Sequence, residues 1–218
     1  MKRRQGRPIR HRLPPARRRA LRVGLLGGSF NPAHAGHLHI SLQAIARLGL
    51  DEVWWVVSPQ NPLKATTGMA PFDERLAAAR MVARHPRIVV SDIEARLGTR
   101  YTARTLARLR ATRPRVSFVW LMGGDLLPEM KDWRDWPAIF RAAPVAIFDR
   151  WPYAQRAPAS KAAQRFAWAR RPERTAPTLA GAAPPAWIYF HSPLHPASAT
   201  ALRSARSPCA PDAPGETE

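Results

Sequence analysis

Lysine is nearly missing from this chain: Lys2, Lys64, Lys131 and Lys161 are the only four, so 31 of the 35 basic residues are arginine. Cysteine is scarcer still. Cys209 stands alone in a proline-rich tail, which excludes an internal disulfide framework and suits a reducing compartment, with the cytoplasm as the expected location. Long apolar runs are also missing. None approaches the ~18 residues that a spanning helix requires, and Leu21 to Leu26 is too short for the core of a signal peptide. Neither membrane insertion nor secretion is expected.

Acidic residues are the third shortage: 15 Asp and Glu face 35 Lys and Arg, a formal net charge of +20. Such an excess raises nucleic-acid binding as a function class. The arginines, however, run through the whole chain together with 23 prolines and many alanines, the mark of a compositional bias. Ten basic residues and no acid lie between Met1 and Arg22. Residues 1–20 read as a solvated, disordered arm whose contact with polyanions would be nonspecific. No zinc finger, stacking motif or recognition-helix pattern supports a dedicated nucleic-acid reader.

What is present is an alternation. Strand-like runs at Leu21–Leu26, Glu52–Val57, Arg87–Val90, Val116–Met122, Pro144–Phe148 and Trp187–Phe190 alternate with apolar residues at helical spacing in Gly36–Leu48, Phe72–His85, Thr102–Ala111, Trp136–Ala142 and Ala159–Trp168. That order predicts an α/β fold, a parallel sheet with helices on both faces. The 218 residues suit one domain, expected over 21–206. Arg150 to Pro185 reads as a weak helix followed by a loop, and 207–218, full of turn residues, as a disordered tail.

In an open parallel sheet, ligands lie beyond the carboxyl ends of the strands. The polar motifs fall there: Gly27 to His37 after the first strand, Ser58 to Lys64 after the second, Ser91 to Tyr101 after the third and Gly123-Gly124-Asp125 after the fourth. The first is the most informative. A glycine turn followed by a helix start offers backbone N–H groups to an anion, and His34 and His37, three apart, share one face of the first turn. Neither the G-x-x-x-x-G-K-[ST] phosphate loop nor the G-x-G-x-x-G fingerprint is present. Phosphoryl or nucleotidyl transfer asks the protein mainly for positioning and charge neutralisation. Two other readings of the histidines are metal ligation with His39 and plain capping of the helix.

Gly27-Gly28-Ser29-Phe30-Asn31-Pro32-Ala33-His34-Ala35-Gly36-His37 closely resembles the G-G-[ST]-F-[ND]-P-x-H-x-G-H motif of nicotinate-nucleotide adenylyltransferases. Ala197-Ser198-Ala199-Thr200-Ala201-Leu202-Arg203 resembles the late [IL]-S-[ST]-T-x-[IL]-R motif of the same superfamily, in the right order. Asn61 to Lys64, Ser91 to Glu94, Tyr101-Thr102, Gly123 to Asp125, Trp133 and Trp136 are similar to intermediate positions, so the resemblance spans about residues 21–206. It implies a Rossmann-like fold of the nucleotidyltransferase type. The implied reaction is adenylyl transfer from ATP to nicotinate mononucleotide with magnesium, giving nicotinate adenine dinucleotide and pyrophosphate in NAD biosynthesis.

The roles implied by the resemblance are these. Gly27, Gly28, Ser29 and Phe30 would bring main-chain groups to the phosphates, with side chains at the glycines obstructing that approach, although Phe30 equally suits core packing. His34 and His37 would hold ATP phosphate oxygens, and Ser198, Thr200 and Arg203 the departing pyrophosphate. Gly123 and Asp125 would meet the adenosine, the carboxylate accepting from the ribose hydroxyls, unless Asp125 only caps the next helix. Ser29, Phe30, Asn31, Lys64, Tyr101, Thr102 and Trp133 would face the mononucleotide, with Trp133 stacked on the pyridine and the backbone of Tyr101-Thr102 on its carboxylate. Trp136 reads as core, and Lys64 as a substrate contact or a solvated side chain. The chain departs from the family pattern at Ala199, at Arg104 and in its short end after Arg203. Nicotinamide mononucleotide and phosphopantetheine are the alternative acceptors, and no metal ligand is expected from the protein.

If the arm acts only through its charge, nucleic-acid binding will be weak, will vanish as salt rises and will disappear when residues 1–20 are removed. A salt-titrated binding assay checks this. Sequence-selective affinity that survives high salt would contradict it.

Overall fold

The computed structural model describes residues 19–60, 68–149 and 159–191. The arm up to residue 18, Lys64, the late motif with Ser198, Thr200 and Arg203, and the tail at 207–218 lie outside the described residues. Six strands form one sheet: β1 (Leu21–Gly28), β2 (Glu52–Val57), β3 (Ile88–Ser91), β4 (Val116–Gly123), β5 (Val145–Phe148) and β6 (Trp187–Phe190). Their order is β3-β2-β1-β4-β5-β6, and every neighbouring pair is parallel. This is the Rossmann-type order, with its reversal between β1 and β4, where a crevice opens at the strands' carboxyl ends.

Parallel strands need crossovers, and the crossovers supply the helices that cover both faces. They are α1 (Ala35–Leu48), α2 (Phe72–Val82), α3 (Ile93–Arg96), α4 (Thr102–Thr112), α5 (Leu126–Glu129), α6 (Trp136–Ala142) and α7 (Lys161–Arg165). Successive strand residues point to opposite faces, so each buried strand feeds two cores. Val23, Leu25, Phe118, Trp120, Val145, Ile147, Trp187 and Tyr189 pack into one, with Leu106, Leu109 and Phe140 from α4 and α6. Leu26, Trp55, Val119, Leu121, Phe148, Ile188 and Phe190 pack into the other, with Ala44 and Leu48 from α1. Among the described residues no helix is long and apolar enough to cross a membrane.

Strands β2 and β6 have the bounds read from the sequence, and the others differ by a few residues at their ends. Helix α2 stops at Val82, short of His85, where the backbone turns away at Ala83. The short α3 lies within the stretch Ser91 to Tyr101 read only as a loop motif, and α5 directly follows the Gly123–Asp125 motif. The largest difference is at 173–181, expected as loop. Glu173–Gly181 is a 3-10 segment that buries Ala176, Leu179 and Ala180 against the second core, small side chains letting its backbone lie close to the sheet. The expected helix at Ala159–Trp168 is α7 followed by a 3-10 turn at Ala167–Ala169.

Gly27 owes its identity to this packing. A Cβ placed there would stand 2.3 Å from Cη2 of the buried Trp120 indole, closer than any real contact allows. Gly27→Ala is expected to lower folding stability by about 1–3 kcal/mol through overpacking. Thermal or urea unfolding measures it, and an unchanged midpoint would show that the indole moves aside without cost.

Candidate functional site

The loop after β1 and the first turn of α1 bring together most of the leading motif. His34 is the N-cap of α1, and its Nδ1 accepts from the Gly36 N–H at 3.1 Å; His37 Nδ1 accepts from the His34 N–H at 3.2 Å. The two imidazole centroids lie 3.9 Å apart. Both histidines do cap the helix, and this fixes their chemistry. An Nδ1 that accepts a hydrogen bond carries no proton, so in each neutral ring the proton sits on Nε2, which is a donor. Capping and anion recognition are therefore compatible uses of the same rings. The first turn of α1 has no acidic residue, which leaves the positive end of its dipole uncancelled from within the helix.

Position is set from below. Ser41 Oγ donates to the His37 carbonyl and accepts from Trp55 Nε1, both at 2.8 Å, tying α1 to β2 inside the protein. The Phe30 ring stacks on Trp55 at 5.1 Å and lies 4.6 Å from His37. At 2 % exposure Phe30 is a core residue that supports the histidine, with its backbone in the left-handed region at φ 50°.

The glycine requirement differs from the expected one. At Gly27 the obstacle is Trp120 within the protein, while a Cβ at Gly28 would meet the Phe30 ring at 3.4 Å, an ordinary contact. At Gly27 the absence of a side chain serves packing against the indole; at Gly28 packing makes no such demand. Asn31 faces a neighbouring loop: its Nδ2 donates to the Gly68 carbonyl at 3.0 Å and its Oδ1 accepts from the Ala70 N–H at 3.2 Å. Ser29 is buried, and its Oγ has no hydrogen-bond partner among the described residues.

A second group lies at the carboxyl end of β4. Gly124 N–H donates to the Phe148 carbonyl at 2.7 Å, so the turn from Gly123 to Asp125 is held against β5. Asp125 makes no side-chain cap to α5, which removes the capping alternative. Beneath the turn, Tyr189 Oη donates to Asp149 Oδ1 at 2.8 Å; burial and the Asp149 carboxylate hold this phenol well above its ordinary range. A concavity of about 590 Å³ adjoins Tyr189 at the end of β6, with Arg170, Arg171, Arg174 and His191 in its wall.

The third group lies at the start of α4. Tyr101 is the N-cap of α4 and contributes no side-chain cap, and Thr102 begins the helix. The Arg134, Arg100 and Arg104 guanidinium carbons stand 5.0, 5.6 and 5.7 Å from the centre of the Tyr101 ring. A hydrogen bond from Arg134, with the charges of Arg100 and Arg134, holds the phenol below its ordinary value. Arg134 follows the half-buried Trp133, so this contact joins the expected pyridine and carboxylate positions. Arg104, the departure noted in the sequence, thus adds to a positive field. Trp136 packs edge-on against Phe166 at 6.1 Å and belongs to the core.

Sequence reasoning missed Arg75, Asp149 and Tyr189, and gave no role to Glu94 although it lies in the family-like stretch Ser91 to Glu94. Among the described residues no group of three or more His, Cys, Asp or Glu could hold a metal. Glu94, 5 % exposed, accepts from Thr105 Oγ1 at 2.9 Å, and Thr99 and Thr105 share a 2.8 Å bond behind it. Burial raises its carboxyl above the ordinary 4.5, against hydrogen bonds from Thr105 and Ser58 that act to lower it.

Comparisons with known proteins bear on the family and the fold. A family model described as cytidylyltransferase-like matches residues 25–204. A probable nicotinate-nucleotide adenylyltransferase of Methylorubrum extorquens is 52% identical over 184 residues, 84% of this chain and 100% of the relative. A protein of the same name from Cereibacter sphaeroides is 54% identical over 182 residues, 84% of this chain and 96% of the relative. Among solved structures, the Plasmodium falciparum nicotinic acid mononucleotide adenylyltransferase complexed with NaAD aligns with a TM-score of 0.63 at 16% identity, covering 84% of this chain and 82% of that one. That likeness is one of fold.

The Glu94 environment gives a signed prediction. The native state holds the Glu94 proton more tightly than the unfolded chain, so the group's contribution is fully present below the ordinary 4.5 and is lost as pH rises through the raised native value. Glu94→Gln keeps an acceptor for Thr105 and removes the titration. Its melting temperature relative to wild type should climb as pH rises from below 4.5 toward neutrality. A difference that stays flat with pH would contradict the assignment.

Proposed function

The chain belongs to the cytidylyltransferase-like family and, within it, to the nicotinate-nucleotide adenylyltransferases, and from that membership we propose how its residues carry the reaction. It is an adenylyl transferase of NAD biosynthesis: the phosphate of nicotinate mononucleotide attacks the α-phosphorus of ATP, forming nicotinate adenine dinucleotide and releasing pyrophosphate. The observation that carries this is the identity of more than half over 84% of the chain.

The attacking oxygen is already anionic, so no residue has to remove a proton. His34 and His37 present Nε2 donors at the N-terminus of α1, where ATP phosphate oxygens would gather charge as the bond to the β-phosphate breaks. His37, supported by Phe30 and by the Ser41–Trp55 tie, acts on the α-phosphate. By their motif Arg203, Ser198 and Thr200 would bind the departing pyrophosphate, and Gly27 and Gly28, which end β1, would bring main-chain groups to the phosphates. Gly123 and Asp125 receive the adenosine ribose. Ser29, Asn31 and Lys64 border the mononucleotide phosphate, with Phe30 contributing only its main chain, Trp133 stacks on the ring, and the backbone at Tyr101 and Thr102 meets its carboxylate. The three arginines around Tyr101 favour the acid over the uncharged amide.

Magnesium would arrive with ATP, its oxygen ligands coming from phosphate and water, as suits a hard ion that keeps much of its hydration. Nucleic acid enters only as nonspecific contact with the basic arm, and the single cysteine favours the cytoplasm.

Pyrophosphate release is the assay, with nicotinate mononucleotide, nicotinamide mononucleotide and phosphopantetheine offered separately. Turnover is expected with the first and little with the others. His37→Ala should cut kcat by roughly 10²–10³ while the fold is retained, the scale of losing one donor to developing charge. Unchanged turnover would leave the histidines as helix caps alone.

A further inference from the structure

Arg75 is 2 % exposed, and among the described residues no carboxylate pairs with it. Its guanidinium donates to four backbone carbonyls: Ser29 at 2.6 Å, Ser58 at 2.8 Å, Pro59 at 2.8 Å and Ala70 at 2.9 Å. Those acceptors belong to separate pieces of chain. Ser29 lies in the turn between β1 and α1, Ser58 and Pro59 begin the connection from β2 to α2, and Ala70 ends it. Asn31 bonds Gly68 and Ala70 from the other side, so the β1 turn and the end of that connection are joined twice.

Burying a cation without a counter-charge is a poor way to gain stability, because removal from water carries a desolvation cost that packing alone would not require. What a guanidinium does that no apolar side chain can do is satisfy divergent carbonyls in one fixed plane. We propose that Arg75 is a positioning residue for the mononucleotide side of the reaction, holding the Ser29 turn in register with the two ends of the β2–α2 connection. The inference rests on the proposed function, in which Ser29 to Asn31 border the mononucleotide phosphate. The two histidines share the support of Phe30 but have a further tie through Ser41 and Trp55 that Arg75 does not touch, so the ATP side depends on Arg75 less than the mononucleotide side does. The charge of Arg75, unmatched by any described acid, also adds to the positive field at this end of the sheet.

Separation of the two substrates provides the test. In Arg75→Lys the ammonium offers three donors at a single point and cannot reach all four carbonyls. The KM for nicotinate mononucleotide should rise roughly tenfold and kcat should fall, while the KM for ATP stays within about twofold. Rates are taken per folded molecule, with folding followed by circular dichroism and melting temperature. A lower melting temperature with both KM values unchanged would overturn the proposal, since a residue needed only for the fold alters the amount of active enzyme. Wild type assayed in parallel separates the failures: no turnover of nicotinate mononucleotide by wild type removes the functional reading itself. If Arg75→Lys does not fold, the wild-type protein still answers through NMR of the Arg75 Nε–H. Its resonance should shift when nicotinate mononucleotide is added and remain in place when ATP alone is added. A resonance unmoved by saturating mononucleotide would overturn the proposal equally.

Discussion

The parallel pairing of β1 with both β2 and β4 is the constraint on which the rest of the molecule depends. Gly27 and Gly28 pair with Val56 and Val57 on one side, and Leu25 and Leu26 pair with Trp120 and Leu121 on the other. Because the strand order reverses at β1, the chain leaving it and the chain leaving β4 depart to opposite faces of the sheet. The space between them is the crevice, and it brings the turn before α1 beside the turn at Gly123 to Asp125. Close approach of β1 and β4 also brings the Trp120 indole under Gly27. Gly27 is bare for reasons of packing.

Capping and the proposed phosphate contact are compatible in one arrangement at His34 and His37. The rings satisfy N–H groups that a helix start would otherwise leave open, and in doing so they orient their second nitrogens. Serine or aspartate would cap equally well and would bring no second donor on a rigid ring. A flexible lysine would bring charge without a defined direction. The geometry therefore explains the residue type as well as its place.

Much of the fold was legible in the sequence because buried strands and amphipathic helices carry strong periodic signals; β2, β6 and α6 have the bounds read from the residues alone. Glu173–Gly181 was not, since Ala, Pro and Thr give a weak pattern and the segment is ordered by contact with a sheet far away in sequence. At the site, the residues with a recognisable spacing, His34 and His37, proved to sit together, as did Tyr101 with the turn at Trp133. Phe30 was ambiguous because an aromatic in a motif serves core and ligand alike, and its stacking on Trp55 decides for core. Arg75 left a faint signal. It stands beside Leu76 and four before Ala79, on the face of α2 that the apolar residues mark as buried. Its partners are backbone carbonyls, which no side-chain pattern records.

Phe30 carries a consequence for how this chain can vary. Its φ of 50° is a conformation that glycine adopts freely, whereas its ring fills the space between Trp55 and His37. The backbone and the interior thus ask for opposite residues at one position. Glycine would relax the main chain and leave a hole beneath the imidazole, and a β-branched aliphatic would fill part of the hole at a greater backbone cost. Neither of these substitutions is neutral there. Escape requires a compensating change at Trp55 or His37 in the same step, so drift along this loop is confined to paths that move at least two buried rings together.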